Sequence, residues 1–376
     1  MPSKSLSDRE IEEFYDSAEY RITQEKSDFL LPQIVDFVNT RKWIKLRPEY
    51  QRRLVWSNKK KSLLIESLLM NVPIPPVFLY EKDLGEYEVM DGQQRLNTIV
   101  EFYENRFKLS GLVKWKILNG RSYADCPPRI QKGFDRRRIS ATVLLAESTI
   151  SKSSSDDLRV LVFERLNTGG QNLNNQELRN CLYGGLFNDL IVELAGYRQF
   201  NEIWGMPPYE DNIRGGRISR SLMENAYFKR MRDCEIVLRF FAFRRTSKIR
   251  GAVVKILDTC MIDGQDYAGS QIGELRKIFI SRLDLAYKMF GNSTFKISSR
   301  KAGLSVPLYD ATMIAVDRLY DDKEVLLKYR KKISEALQES FKNDETYELI
   351  IARANTAESI KKRLDFIEDI FRESIR

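Results

Sequence analysis

The run Tyr87-Glu-Val-Met-Asp91-Gly92-Gln93-Gln94-Arg95-Leu-Asn-Thr98 holds the residues whose types and spacing point most directly to chemistry. A strand-forming stretch ends in a carboxylate, a glycine permits a tight turn, and a helix-forming stretch begins within two residues. A helix start offers N–H groups without intrahelical partners and the positive end of the helix dipole, which together suit a phosphate. Arg95 adds a forked donor for oxyanions, and Gln93 and Gln94 add amides. Asp91 has the chemistry to hold Mg²⁺ or to position a water, and Thr98 to support either role. The same residues also have a purely architectural reading, with Gly92 as a turn and Asp91 as a helix cap.

What the chain lacks narrows the chemistry further: its 376 residues include no histidine. Ser-His-Asp and Cys-His catalysis, His-based nucleases and the HExxH zinc site are excluded. Catalysis would have to rest on carboxylates, Arg or Lys, amides, hydroxyls, backbone amides or a bound metal.

The elements that must position this turn follow from periodicity. Ser57 is placed to cap a helix running to about Asn71, with Leu64, Leu68 and Leu69 on its core side and Pro73 beyond its end. Two strands are predicted at Val77–Glu81 and Tyr87–Met90, joined by a turn at Gly85. A helix with Leu96, Ile99, Val100 and Tyr103 follows the Asp91–Arg95 turn, and Ile139–Ala146 reads as a further strand. Asn174 and Glu177 have the spacing of a capping box at the start of another helix. From about residue 185 the periodicity is helical almost throughout, and Gly205–Ser219 is the best hinge candidate. The expected fold class is α+β: a mixed sheet with helices in the N-terminal half, then an all-α domain. The expected organisation is an arm over 1–30, a sheet domain over 31–200 and a helical domain over 215–376.

Positive charge is clustered. Residues 41–61 carry nine bases against Glu49 alone, and residues 214–250 carry eleven against Glu224, Asp233 and Glu235. Lys132 with Arg136, Arg137 and Arg138 makes a third knot. Such clusters attract phosphate backbones, so DNA is the expected partner, with Arg53, Lys59, Lys60, Lys61, Arg136, Arg137, Arg138, Arg244 and Arg245 as candidate contacts. Arg239, Arg244 and Arg245 also fit the solvated side of one helix. The four cysteines lie 55, 53 and 26 residues apart, which makes no metal knuckle and suits buried thiols. With neither a long apolar run nor a signal-type N-terminus, no membrane association is expected and the expected location is cytoplasmic.

Asp91-Gly-Gln-Gln-Arg95 after a Tyr-x-Val strand resembles the signature of the GmrSD N-terminal (GmrS-type) family of modification-dependent restriction proteins. Two further stretches resemble that family: Glu49-Tyr50-Gln51-Arg52-Arg53-Leu-Val-Trp56, followed by Val72-Pro-Ile-Pro-Pro76, and Phe163-Glu164-Arg165-Leu166-Asn167-Thr168-Gly169-Gly170. The resemblance implies a ParB/sulfiredoxin-like fold and a nucleotide-phosphate role for Asp91, Gly92, Gln93, Gln94 and Arg95. It places Gln51 and Arg52 beside that pocket and Asn167 with Thr168 on a facing loop. Fused members of the family end in an HNH nuclease, which needs histidine, so the C-terminal half of this chain is not expected to be that nuclease.

Three functions remain open at this level. One is a nucleoside triphosphate (NTP) hydrolase coupled to DNA, with Asp91, Gln94 and Arg95 catalytic, NTP and Mg²⁺ as cofactors, and Asp91 as the metal ligand. Phosphoryl transfer depends chiefly on positioning and charge neutralisation, so it needs no imidazole. The second is a metal-dependent nickase in the same pocket, and the third a non-catalytic adaptor that senses nucleotide. A separate nuclease or modification-system subunit is the expected partner where cleavage is not intrinsic.

Overall fold

Val77 and Leu79 in one strand and Ile139, Ala141 and Val143 in another put buried apolar side chains at every second position of a mixed sheet, and helical apolar stripes cover it. The computed structural model describes residues 7–16, 23–46, 56–145, 161, 162, 165, 173–214, 217–297, 303–351 and 356–376. The chain forms two units, Met1–Asn172 and Leu173–Arg376.

In the first unit, α1 (Asp8–Asp16) precedes β1 (Gln24–Leu30), α2 (Leu31–Asn39) and β2 (Ile44–Lys45). There follow α3 (Asn58–Leu69), β3 (Val77–Asp83), β4 (Glu86–Asp91), α4 (Gln93–Tyr103), α5 (Pro128–Asp135) and β5 (Arg138–Leu145). The strand order is β1-β5-β3-β4-β2. β3 lies at the centre, parallel to β5 with Val77 opposite Ala141, and antiparallel to β4 with Leu79 opposite Val89. Val77 and Leu79 are fully buried, as a central strand requires. Leu96, Ile99 and Phe102 of α4 join Leu64, Ile65 and Leu68 of α3 and Ile34 of α2 in one core. Ser57 caps α3 by accepting from the Lys60 N–H at 3.3 Å, as its position suggests.

One element departs from expectation. Residues 24–30 are not arm but edge strand, pairing antiparallel with β5 over their whole length. The polar sequence Gln-Glu-Lys-Ser-Asp conceals this, because an edge strand needs only its last apolar residues, Phe29 and Leu30, against the core. Ser140 Oγ donates to Asp28 Oδ1 at 2.6 Å and fastens the pairing.

The second unit is helical, with two-residue ribbons at Ile213–Arg214/Arg217–Ile218 and Lys296–Ile297/Gly303–Leu304. Its helices include α6 (Asn175–Leu182), α7 (Leu186–Ala195), α8 (Arg198–Trp204), α9 (Arg232–Arg244), α10 (Val253–Gly264), α11 (Gly269–Phe290), α12 (Val306–Arg318), α13 (Arg330–Ser340) and α14 (Ala357–Ile375). The capping box forms at α6: Asn174 Oδ1 accepts from the N–H groups of Gln176 and Glu177 at 2.9 Å, and Glu177 Oε2 accepts from Asn174 N–H at 2.7 Å. Gly205–Ser219 lies inside this unit, and its described residues are tied together around Asn212. Asn212 donates to the Pro208 carbonyl, accepts from Ser219 and Ser221, and its carbonyl receives the Ser219 N–H. Cys126, Cys234 and Cys260 are buried free thiols, and burial pushes Cys260 up to about 12.

Candidate functional site at the strand-helix turn

Asp91 ends β4, Gly92 turns the chain at φ 96° and ψ 7°, and α4 starts at Gln93. Two independent constraints demand glycine here. The backbone is left-handed, and a Cβ at this position would strike the side chain of Val77 on the neighbouring strand. No side chain caps the start of α4.

Arg95 reaches back over the turn. Its Nη2 donates to Asp91 Oδ2, and its Nη1 donates to the Pro75 carbonyl and, at 3.2 Å, to that of Pro76. Its side chain is 12% exposed while that of Asp91 is 42% exposed, so the carboxylate is the solvent-facing member of the pair. Burial lowers the Arg95 pKa and Asp91 partly restores it, yet a guanidinium stays charged throughout the accessible range. Arg95 thus ties the Val72–Pro76 connection to the strand end, a structural task in addition to any ligand.

Gln94 connects the turn to a second motif. Its Oε1 accepts from the Trp56 N–H at 3.3 Å, which brings the end of the Glu49–Trp56 segment beside Asp91–Arg95. The Nε2 of Gln94 is buried with no hydrogen-bond partner among the described residues, an orphaned donor of the kind that a ligand or water satisfies. Thr98 is fully buried and donates to the Gln94 carbonyl at 2.7 Å, so it braces the turn from below. Gln93 is buried as well. Trp56 is half-buried against the core, with Lys60 Nζ 4.6 Å from its ring centroid.

The turn therefore brings together Asp91, Gly92, Gln93, Gln94, Arg95 and Thr98. Gln51, Arg52 and Arg53 lie outside the described residues, as do Asn167 and Thr168. The Pro75 and Pro76 carbonyls and the Trp56 amide were not picked out from sequence, because backbone partners leave no residue-type signal; Val72-Pro-Ile-Pro-Pro76 was the only pointer.

The basic candidates divide. Lys59, Lys60, Arg136 and Arg138 are exposed. Lys61 is not a surface base: it is 9% exposed and its Nζ pairs with Glu101 Oε2 at 2.6 Å. Three successive helical residues point about 100° apart, so one of the lysines at 59–61 had to face α4. Arg137 donates to the Leu69 carbonyl at 2.6 Å. Arg244 pairs with Asp317 and Arg245 with Asp263, both at 2.7 Å. Arg239 corrects the picture of a solvated helix side: it is 5% exposed and grips Asp310 with Nε and Nη2. Asp310 holds up the Arg239 pKa against burial.

Among the described residues, no helix is long and apolar enough to cross a membrane, and no group of three or more Cys, Asp or Glu side chains is placed to hold a metal. No curated protein and no solved structure matches the chain. Residues 33–184 match the family model described as GmrSD restriction endonuclease, N-terminal domain. That span begins within α2, contains the Asp91–Arg95 turn and ends just after α6, so it is the sheet-bearing part of the chain that is similar to GmrSD N-terminal domains.

Proposed function

We propose that the chain is a nucleotide-binding and NTP-hydrolysing, DNA-associated protein of the restriction or anti-phage defence type. The observation that carries this reading is the turn itself: a half-buried arginine and an orphaned amide donor, Gln94 Nε2, at an uncapped helix start, beside a solvent-facing carboxylate. The family match supports the restriction context.

A triphosphate fits this donor set. Its terminal phosphate takes the N–H end of α4 and Gln94, and exchanges with Asp91 for Arg95. Asp91, released from the guanidinium, then orients a water toward the phosphorus while Arg95 balances the developing charge. Asp91 is the sole carboxylate of the turn, and the described residues gather no group of three or more carboxylates or thiols around it, so no step is assigned to a metal. Exposed bases such as Lys59, Lys60, Arg136 and Arg138 supply the DNA contacts, and a separate nuclease or modification subunit is the partner that this division of labour calls for.

Phosphate release from ATP and GTP, with and without DNA, tests the reading. Arg95→Lys and Gln94→Ala are expected to lower the rate while the circular-dichroism melt stays cooperative. Rates equal to wild type in both variants would sink it.

A further inference from the structure

The second unit carries a cavity of about 520 Å³ lined by Ser247, Lys248, Arg250, Gly251, Lys255 and Thr259. Three of these six are cations and none is an acid. We propose that this cavity is a phosphate-binding site, separate from the Asp91–Arg95 turn, for a phosphodiester or phosphomonoester group.

Charge accounting carries the proposal. The neighbouring Arg244 and Arg245 are spent in 2.7 Å ion pairs with Asp317 and Asp263. Lys248 sits at the outer limit of an ion pair, 3.9 Å from Asp263. Arg250 and Lys255 have no acidic partner among the described residues. Like charges converging on one concavity repel until an anion enters. The volume leaves room for a phosphate group and the molecule that carries it.

The backbone is shaped to the same end. Gly251 turns at φ +79° and Ala252 begins α10 without a side-chain cap, so the first N–H groups of that helix lie beside the cations. Ala252 also bridges to Thr356, at the start of α14, which holds the turn in place. Two sources share this ligand chemistry, a nucleic-acid backbone and a free nucleotide.

The test uses the full chain, with a fluorescent short DNA duplex read by anisotropy and ATP read by calorimetry. In the Arg250→Glu/Lys255→Glu variant, binding of one probe is expected to weaken at least about tenfold, and for DNA the slope of log K against log salt should fall by about 2. Weakening for the duplex alone identifies a phosphodiester ligand, and weakening for ATP alone a nucleotide. Arg250→Gln, which removes one charge without adding an opposite one, is expected to give a smaller loss in the same probe. Unchanged affinity for both probes in the double variant, with an unaltered melt, overturns the site. Arg95→Lys provides the separation from the turn: loss of phosphate release with retained sensitivity to Arg250→Glu/Lys255→Glu leaves this pocket standing.

Discussion

The guanidinium of Arg95 closes on the carboxylate of Asp91, one helical turn before it, across the left-handed backbone of Gly92. The two charges satisfy each other, so an incoming phosphate competes with Asp91 for the same donor. Asp91→Asn is expected to raise ATP affinity, measured by calorimetry, while lowering phosphate release by about 10²-fold or more through loss of the group that orients water. Weaker ATP binding in Asp91→Asn would show that Asp91 is no competitor.

Gly92→Ala tests how tightly the turn is built. Left-handed strain and the clash with Val77 are together expected to cost about 2–4 kcal/mol in urea unfolding. Adding Val77→Ala removes the clash but not the strain. The double variant should therefore lose less than the sum of the two single losses, and strict additivity would show that the contact is not limiting.

Glu66 is a buried carboxylate that organises a loop. It accepts from the N–H groups of Val113, Lys114 and Trp115 at 2.7–3.1 Å. Burial pushes its pKa up, but those three bonds outweigh burial and hold it below the usual carboxylate range. A depressed folded-state pKa contributes stability that is present above the unfolded value and lost as pH falls through the folded one. Acid unfolding of wild type should therefore steepen below about pH 4, and Glu66→Gln should flatten that limb and cost about 2–3 kcal/mol at neutral pH. Melts across pH 3–7 give the comparison, and superimposable curves would remove Glu66 from the account.

Lys61 and its two neighbours are expected to separate experimentally. Lys59→Ala/Lys60→Ala should weaken DNA binding and reduce its salt slope by about 2, with little change in melting. Lys61→Ala should leave the slope alone and destabilise the fold by about 2–4 kcal/mol, because it removes the 2.6 Å ion-pair partner of a Glu101 side chain that is only 14% exposed. A salt slope that responds to Lys61→Ala would return that lysine to the DNA surface.

Local signals proved legible where the interaction that matters lies within a few residues. The Ser57 cap and the Asn174–Glu177 capping box satisfy backbone groups at a fixed short spacing, and the Gly92 turn joins a strand to a helix at a single left-handed residue. Charged residues were legible only in number. Lys61 and Glu101 are 40 positions apart and Arg239 and Asp310 are 71 apart, so nothing near either base marks it as buried. A separation of 20 and 19 positions, to backbone groups, likewise hid the hold of Arg95 on the Pro75 and Pro76 carbonyls, although the arginine itself stood out. β1 escaped because alternation fails at a sheet edge, where solvent takes both faces of most positions.

That edge strand sets a timetable for synthesis. Asp28 pairs opposite Ser140, so β1 leaves the ribosome with its partner still 112 residues away. At translation rates of about 5–20 residues per second, the strand waits roughly 5–20 s with its hydrogen-bonding groups open to any passing chain. Glu25, Lys26 and Asp28 make it an unattractive template during that interval, as charges do on exposed edges. The polarity that hid the strand from a periodicity reading is thus its protection while it is alone.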